Sequence, residues 1–145
     1  MAGNFYAAEP LIVARLRDQL GNLVNTVDTV DLLAGNRDLA DYLPAVFVMP
    51  SSSDPQSTAK RGGMIWDNQE YQVVIAVAHV HDPDTVAAVD LAAGGIMRAV
   101  FDALGGYHLD AGYGPMQYTG RAAPYYGVGF AEYPMFFSVN AVIGN

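Results

Sequence analysis

The chain contains no cysteine. Disulfide bridges, thiolate nucleophiles and cysteine-ligated zinc or iron–sulfur centres are thereby excluded, and the folding compartment is unconstrained by redox. Positive charge is scarce: 7 Lys and Arg stand against 15 Asp and Glu, for a net charge of −8. Phosphate backbones need clustered cations, so sequence-specific DNA binding is disfavoured. Long hydrophobic runs are missing as well. The longest, residues 73–78, falls far short of the ~20 apolar residues that a membrane-spanning helix needs. Residues 1–10 have no basic stretch followed by an apolar core, so no secretory signal is expected. Charge of either sign makes up only 15% of the chain. So few groups leave part of the surface weakly solvated, which favours its burial against another protein.

Apolar residues, in contrast, reach 52% of the 145 residues, a balance opposite to that of disordered chains. A chain of this length buries roughly 70% of its extended surface around one core. The expectation is a soluble, cytoplasmic product with a single domain spanning residues 1–145 and no interdomain linker or internal repeat.

Pro10 suits a first helical turn, and Leu11, Ile12, Leu16, Leu20 and Leu23 recur at helical spacing. An amphipathic N-terminal helix is expected. Residues 25–33 mix β-branched side chains with Thr and Asp and end in Ala34, Gly35 and Asn36, which suggests a strand closed by a turn. Residues 37–42 suit a short helical turn before Pro44, and residues 45–49 a short buried strand. Residues 50–63, PSSSDPQSTAKRGG, are almost free of apolar side chains and rich in turn formers, so a long exposed loop or hairpin tip is expected.

Residues 70–81 carry the clearest strand pattern. Tyr71, Val73, Ile75 and Val77 alternate with Val74, Ala76, Ala78 and Val80, which implies a central strand covered on both faces. A helix then follows from Asp82 as N-cap, Pro83 in the first position and Asp84 near the positive helix end. Val86, Val89, Ala93, Ile96, Val100 and Leu104 form its apolar stripe, Asp90, Arg98 and Asp102 are available for the wet face, and Gly105-Gly106 stops it. Gly94 and Gly95 inside it cost on the order of 1 kcal/mol each relative to alanine, so close approach of another backbone is expected as compensation. Residues 109–129, crowded with Gly, Pro and Tyr, suggest irregular segments and short edge strands. Residues 130–142 form a closing strand with Met135, Phe137, Val139 and Ala141 inward. Pro134 within it should lie on an edge or at a bulge. Helix, two strands, loop, central strand, helix and strands together read as an α+β fold, a mixed or antiparallel sheet packed by an N-terminal helix and a second long helix.

Metal-competent groups cluster only at His79, His81, Asp82 and Asp84. Alternate strand residues share a face, so both histidines could reach a cation, as in metal-dependent hydrolases with a His-x-His pair. Those enzymes complete the site from a barrel of ~250 residues, which this chain is too short to form. Helix capping by Asp82 and Asp84 explains the same residues without a ligand, and no metal or cofactor is expected. Gly112 and Gly114 start a dinucleotide-like pattern that fails at Gln117. Ser51, Ser52 and Ser53 could in principle pair with His108 or His79, but a serine run in a polar segment is far more often a connector. Tyrosines concentrate late, at positions 107, 113, 118, 125, 126 and 133, where they suit either packing of irregular backbone or an interface. Stacking on single-stranded nucleic acid would need a basic groove, and only Arg121 lies nearby.

The phrases FYAAEPLIVARLRDQL (residues 5–20), LPAVFVM (43–49), MIWDNQEYQVVIAVAHV (64–80), RAVFDALGGY (98–107) and YPMFFSV (133–139) resemble, in order, the tail terminator or tail completion family of long-tailed bacteriophages. That resemblance implies a non-enzymatic virion subunit, assembled in the host cytoplasm, that forms a homohexameric ring on the head-proximal end of the tail tube. The ring would stop tube polymerisation and present a surface to the head–tail connector or stopper protein, while DNA passes through its lumen without specific binding. Asp28, Asp31, Asp38, Asp41, Asp90 and Asp102 are available to line that lumen. Ser51, Ser52, Ser53, Asp54, Lys60, Arg61, Tyr125 and Tyr126 are the residues expected at the subunit or tube interface. Another small head–tail joining protein and a small metal-dependent hydrolase using His79 and His81 are the competing readings.

Overall fold

The computed structural model describes residues 4–29, 42–56, 63–79 and 83–144. Their regular structure consists of helices α1 (Ala8–Leu20) and α2 (Val86–Leu104) and strands β1 (Thr26–Thr29), β2 (Ala45–Pro55), β3 (Met64–His79), β4 (Gln117–Arg121), β5 (Tyr125–Tyr126) and β6 (Gly129–Gly144). The fold is of the α+β class. One mixed sheet runs in the order β1–β2–β3–β6–β4, and β5 pairs with β6. β1 lies parallel to β2, and the remaining pairs are antiparallel.

β3 is central because it can be buried on both sides. Tyr71, Val73, Ile75 and Val77 join the core beneath the helices. Ala76, on the opposite face, packs with Leu43, Ala45 and Phe47, with Phe130 against them. β6 pairs with β3 along its whole length, Tyr71 opposite Phe137 and Ile75 opposite Tyr133. Met135, Phe137, Val139 and Ala141 point to the same core, as their alternation requires.

α1 contributes Ala8, Ile12, Val13, Leu16 and Leu20 to that core, whereas Leu23 is exposed in the 3-10 turn Gly21–Leu23. Pro10 stands in the helix's first turn, where its missing N–H has no intrahelical acceptor to lose. α2 buries Ala93, Ile96, Val100, Ala103 and Leu104, and Gly106 follows it with φ 77°, a left-handed conformation suited to glycine. Arg15 ties the helices together: its Nε donates to the Ala103 carbonyl at 3.0 Å and its guanidinium lies 3.8 Å from the centre of the Tyr107 ring.

Several expectations need correction. The polar segment beginning at Pro50 is not a loop from its first residue: β2 continues through it to Pro55, paired with Asp67 to Tyr71 of β3. Its side chains are exposed from Pro50 onward, so the strand is held by ladder hydrogen bonds to a β3 already templated by β6. For the same reason β3 starts at Met64 rather than near Glu70. Asp82 lies outside the described residues; helical backbone starts with the 3-10 turn Pro83–Thr85 and becomes α-helical at Val86. Gly94 and Gly95 have open space where a Cβ would project, so among the described residues of the subunit no backbone approaches them there.

Pro134 lies on an internal strand rather than an edge or bulge. It sits opposite Val74, and its carbonyl accepts from the Ala122 N–H at 3.2 Å. N–H and C=O of one strand residue point the same way, so its missing donor faces the break between β4 and β5, where no ladder bond is lost. The residues of the expected turn at 37–42, other than Tyr42, and those of the expected strand beyond Thr29 lie outside the described residues.

Candidate functional site

The residues nominated from sequence fall in two places. Ser51, Ser52, Ser53 and Asp54 lie on the distal half of β2, which β1 does not reach: β1 pairs only with Ala45 to Val48. Among the described residues the outer edge of β2 beyond that point has no strand partner. A register shift between Pro50 and Ser52 bulges the strand at Ser51, and a second shift between Tyr118 and Gly120 bulges β4 at Thr119. Both bulge residues turn toward Glu70 on β3: Ser51 Oγ donates to Oε1 at 3.2 Å and Thr119 Oγ1 to Oε2 at 3.3 Å. A single carboxylate thus bridges β2 and β4 across the sheet. Lys60 and Arg61 lie outside the described residues.

Beside this edge, on the helix-bearing face, is a cavity of about 460 Å³ lined by Phe5, Tyr6, residues 50–53, Asp67, Gln69, Glu70 and Tyr71. Its floor is a chain of hydrogen bonds along alternate residues of β3. The Tyr71 hydroxyl donates to Gln69 Oε1 at 3.3 Å, and Gln69 Nε2 donates both to Asp67 Oδ2 at 3.2 Å and to the Phe5 carbonyl at 2.8 Å. Burial, reinforced by Tyr113 and Glu9, pushes the Tyr71 phenol above its ordinary range, so it stays a donor. Asp67 is a carboxylate only 4% exposed.

Tyr125 and Tyr126 stand elsewhere. Register places Tyr126 opposite Ala131, and Ala131 opposite Val77, eight residues along β3 from Gln69, or about 26 Å at strand rise. The two tyrosines also point to opposite faces. Tyr125 is 59% exposed, with its ring 6.1 Å from that of Phe130. Tyr126 turns under α2 and donates to Asp90 Oδ1 at 2.8 Å, and Tyr133 donates to the same oxygen. Asp90 is therefore not on the wet face: it holds α2 to β5 and β6. The Tyr133 and then the Tyr126 hydrogen bond lower its pKa below the ordinary value, while the Asp90 bond and burial raise the pKa of both phenols. Arg98 and Asp102, by contrast, stand on the wet face as expected, where they form a pair at 3.0 Å.

His79 is buried with its ring 5.6 Å from that of Tyr126. His81 and Asp82 lie outside the described residues, and among the described ones no group of three or more His, Asp and Glu side chains is placed to hold a metal ion. Ser53 pairs with Gln69, ten residues along β3 from His79, or about 33 Å away. These two do not form a nucleophile–base pair.

Asp67, Gln69 and Asp90 were not legible as site residues. The first two share a face with Tyr71 at strand spacing, a pattern hidden by starting the strand at Glu70. Asp90 looks like any solvated helix carboxylate until the sheet places two phenols beneath it.

The family model for phage tail terminator proteins matches residues 1–145. No curated protein sequence matches the chain. Among solved structures, a chain from a virion of a native gene transfer agent (GTA) particle is similar in fold, with a TM-score of 0.61 and 15% sequence identity over 96% of this chain and 99% of that one. The family match runs along the full length, and the chain belongs to the phage tail terminator protein family.

Proposed function

We propose that this virion protein forms a ring, a homohexamer, at the head-proximal end of the tail tube, where it stops tube polymerisation and offers the opposite ring face to the head–tail connector. The observation that carries this reading is the family match over the whole of residues 1–145. The fold supports it physically. Among the described residues the distal half of β2 has no strand partner on its outer edge, and its polar side chains are exposed, a surface that a neighbouring protein can cover by edge pairing or side-chain contact. The mechanism is complementarity rather than covalent chemistry. A tube subunit propagates because its two faces match each other; a terminator has one matching face and removes the growing end. The excess of carboxylates suits a lumen through which DNA slides, since each cation on a phosphate would add salt-dependent retention. Ser51 to Asp54, Lys60, Arg61 and the exposed Tyr125 are the interface residues of this proposal; Tyr126 acts through Asp90, inside the fold.

The test is the length distribution of tubes polymerised from the cognate tube protein, viewed by electron microscopy with and without this protein. Lengths should stop increasing at a small ring-to-subunit ratio, with ring density at one end. Continued growth at saturating protein, with bare tube ends, removes the terminator role and favours another head–tail joining function.

A further inference from the structure

The cavity beside the distal half of β2 has the chemistry of a cation receptor. Its floor ends in Asp67, a carboxylate 4% exposed whose one described hydrogen bond comes from Gln69 Nε2. The amide of Gln69 is itself committed to the Phe5 carbonyl and the Tyr71 hydroxyl, so the chain of described donors ends on Asp67, which lines the cavity. A buried carboxylate is stabilised by a cation that pairs with it. Phe5 and Tyr6, both exposed, flank the same cavity and present the aromatic surfaces on which guanidinium and ammonium groups rest. Residues 51–53 also line the cavity.

The chain's own cations point to the occupant. Of its 7 Lys and Arg, Arg15, Arg17 and Arg98 are engaged within the subunit, with the Ala103 carbonyl, with the Val27 carbonyl and Asp28, and with Asp102. Lys60 and Arg61 are the one adjacent pair, in the segment that joins β2 to β3. We infer that the cavity floored by Asp67 receives the Lys60-Arg61 segment of a second copy of this chain, so that each subunit offers a cationic plug and an acidic socket to its neighbours. This deepens the ring reading and rests on it: two different patches of one chain make the heterologous contact that a closed ring requires.

Two measurements separate the inference from that reading. First, a capped peptide with the sequence of residues 57–63, STAKRGG, is titrated into the protein and followed by NMR. It should shift the Phe5, Tyr6 and Tyr71 resonances. Affinity should fall about tenfold with Asp67→Asn, which keeps the acceptor for Gln69, and equally when the peptide carries Gln at both cationic positions. Absence of these shifts, or equal binding by Asp67→Asn, overturns the inference. Second, light scattering follows self-association of the full chain. Asp67→Asn and the double variant Lys60→Gln, Arg61→Gln should each need about tenfold more protein to associate, and an equimolar mixture of the two should recover part of the loss, because half of the mixed contacts keep both plug and socket. Full association of both variants overturns the inference and leaves the ring standing. No gain on mixing overturns it in favour of a plug and socket within one chain. A wild-type chain that never associates sinks the ring reading, and the peptide titration then still decides whether the socket binds the plug.

Discussion

Two leucines on α2 offer a direct test of how the helix is rotated against the sheet. Leu104 is 0% exposed within the core, and Leu91 is 79% exposed. Leu→Ala is the same chemical change at both, in the same helix, and alanine is the better helix former at either position. At Leu104 the substitution removes buried methyl groups and leaves a cavity, a loss of about 2.7–5 kcal/mol. For 145 residues, an unfolding entropy of about 2.1 cal/mol/K per residue sums to ~0.3 kcal/mol/K, so the midpoint should drop by about 9–16 °C. At Leu91 the expected change is within about 0.5 kcal/mol, or roughly 2 °C. Differential scanning calorimetry at low protein concentration is the assay, so that self-association does not add to either midpoint. Comparable drops for the two variants would refute the placement of the buried stripe on Ala93, Ile96, Val100 and Leu104. They would also remove the geometry that turns Asp90 toward Tyr126 and Tyr133.

Asp90 gives a pH-dependent prediction. Its pKa is lowered in the fold from the ordinary 3.8 by the Tyr133 and Tyr126 hydrogen bonds, so its contribution is present above the unfolded value and is lost as pH falls through the lower folded one. Urea midpoints of the wild type and Asp90→Asn should therefore differ at pH 6 and converge below about pH 4; a gap that stays constant across this range counts against the two-phenol contact. At the other extreme, the pKa values of Tyr126 and Tyr133 are raised, so their stabilisation holds up to pH 10 and declines above it, and Tyr133→Phe should flatten that alkaline decline. Arg15→Met should cost about 1–2 kcal/mol in urea denaturation through loss of the Ala103 carbonyl bond and the Tyr107 contact. Arg98→Met, which removes an exposed pair with Asp102 at 3.0 Å, should cost clearly less, and equal costs would show that Arg15 does not couple the helices.

Local periodicity alone was enough to assign the faces of the regular elements. The alternation of Tyr71, Val73, Ile75 and Val77 with Val74 and Ala76, the stripe from Ala93 to Leu104 and the inward set Met135, Phe137, Val139 and Ala141 all occupy the buried faces that their spacing requires, because a side chain's direction along a helix or strand follows from backbone geometry alone. Ala78, expected on the covered second face, is exposed. The ordered phrases of the chain likewise carried the family resemblance, and with it the expectation of a phage tail component. Features that depend on partners remote in sequence emerge from the assembled sheet. Residues 51–55 look like a loop because their side chains bury nothing, yet they form a strand because β3, aligned by β6, offers them a ladder. Pro134 looks like an edge residue, yet it fits an internal strand because the chain breaks between β4 and β5 where its N–H would have pointed. Asp90 reads as solvated, and becomes a tether because β5 and β6 place two hydroxyls under the same turn of α2. Asp67 passes for an ordinary surface carboxylate, and is buried because Gln69, Tyr71 and the chain at Phe5 close around it. In each case the deciding contact spans a sequence separation that no local pattern encodes, since hydrogen bonds and burial are set by which elements the sheet order brings side by side.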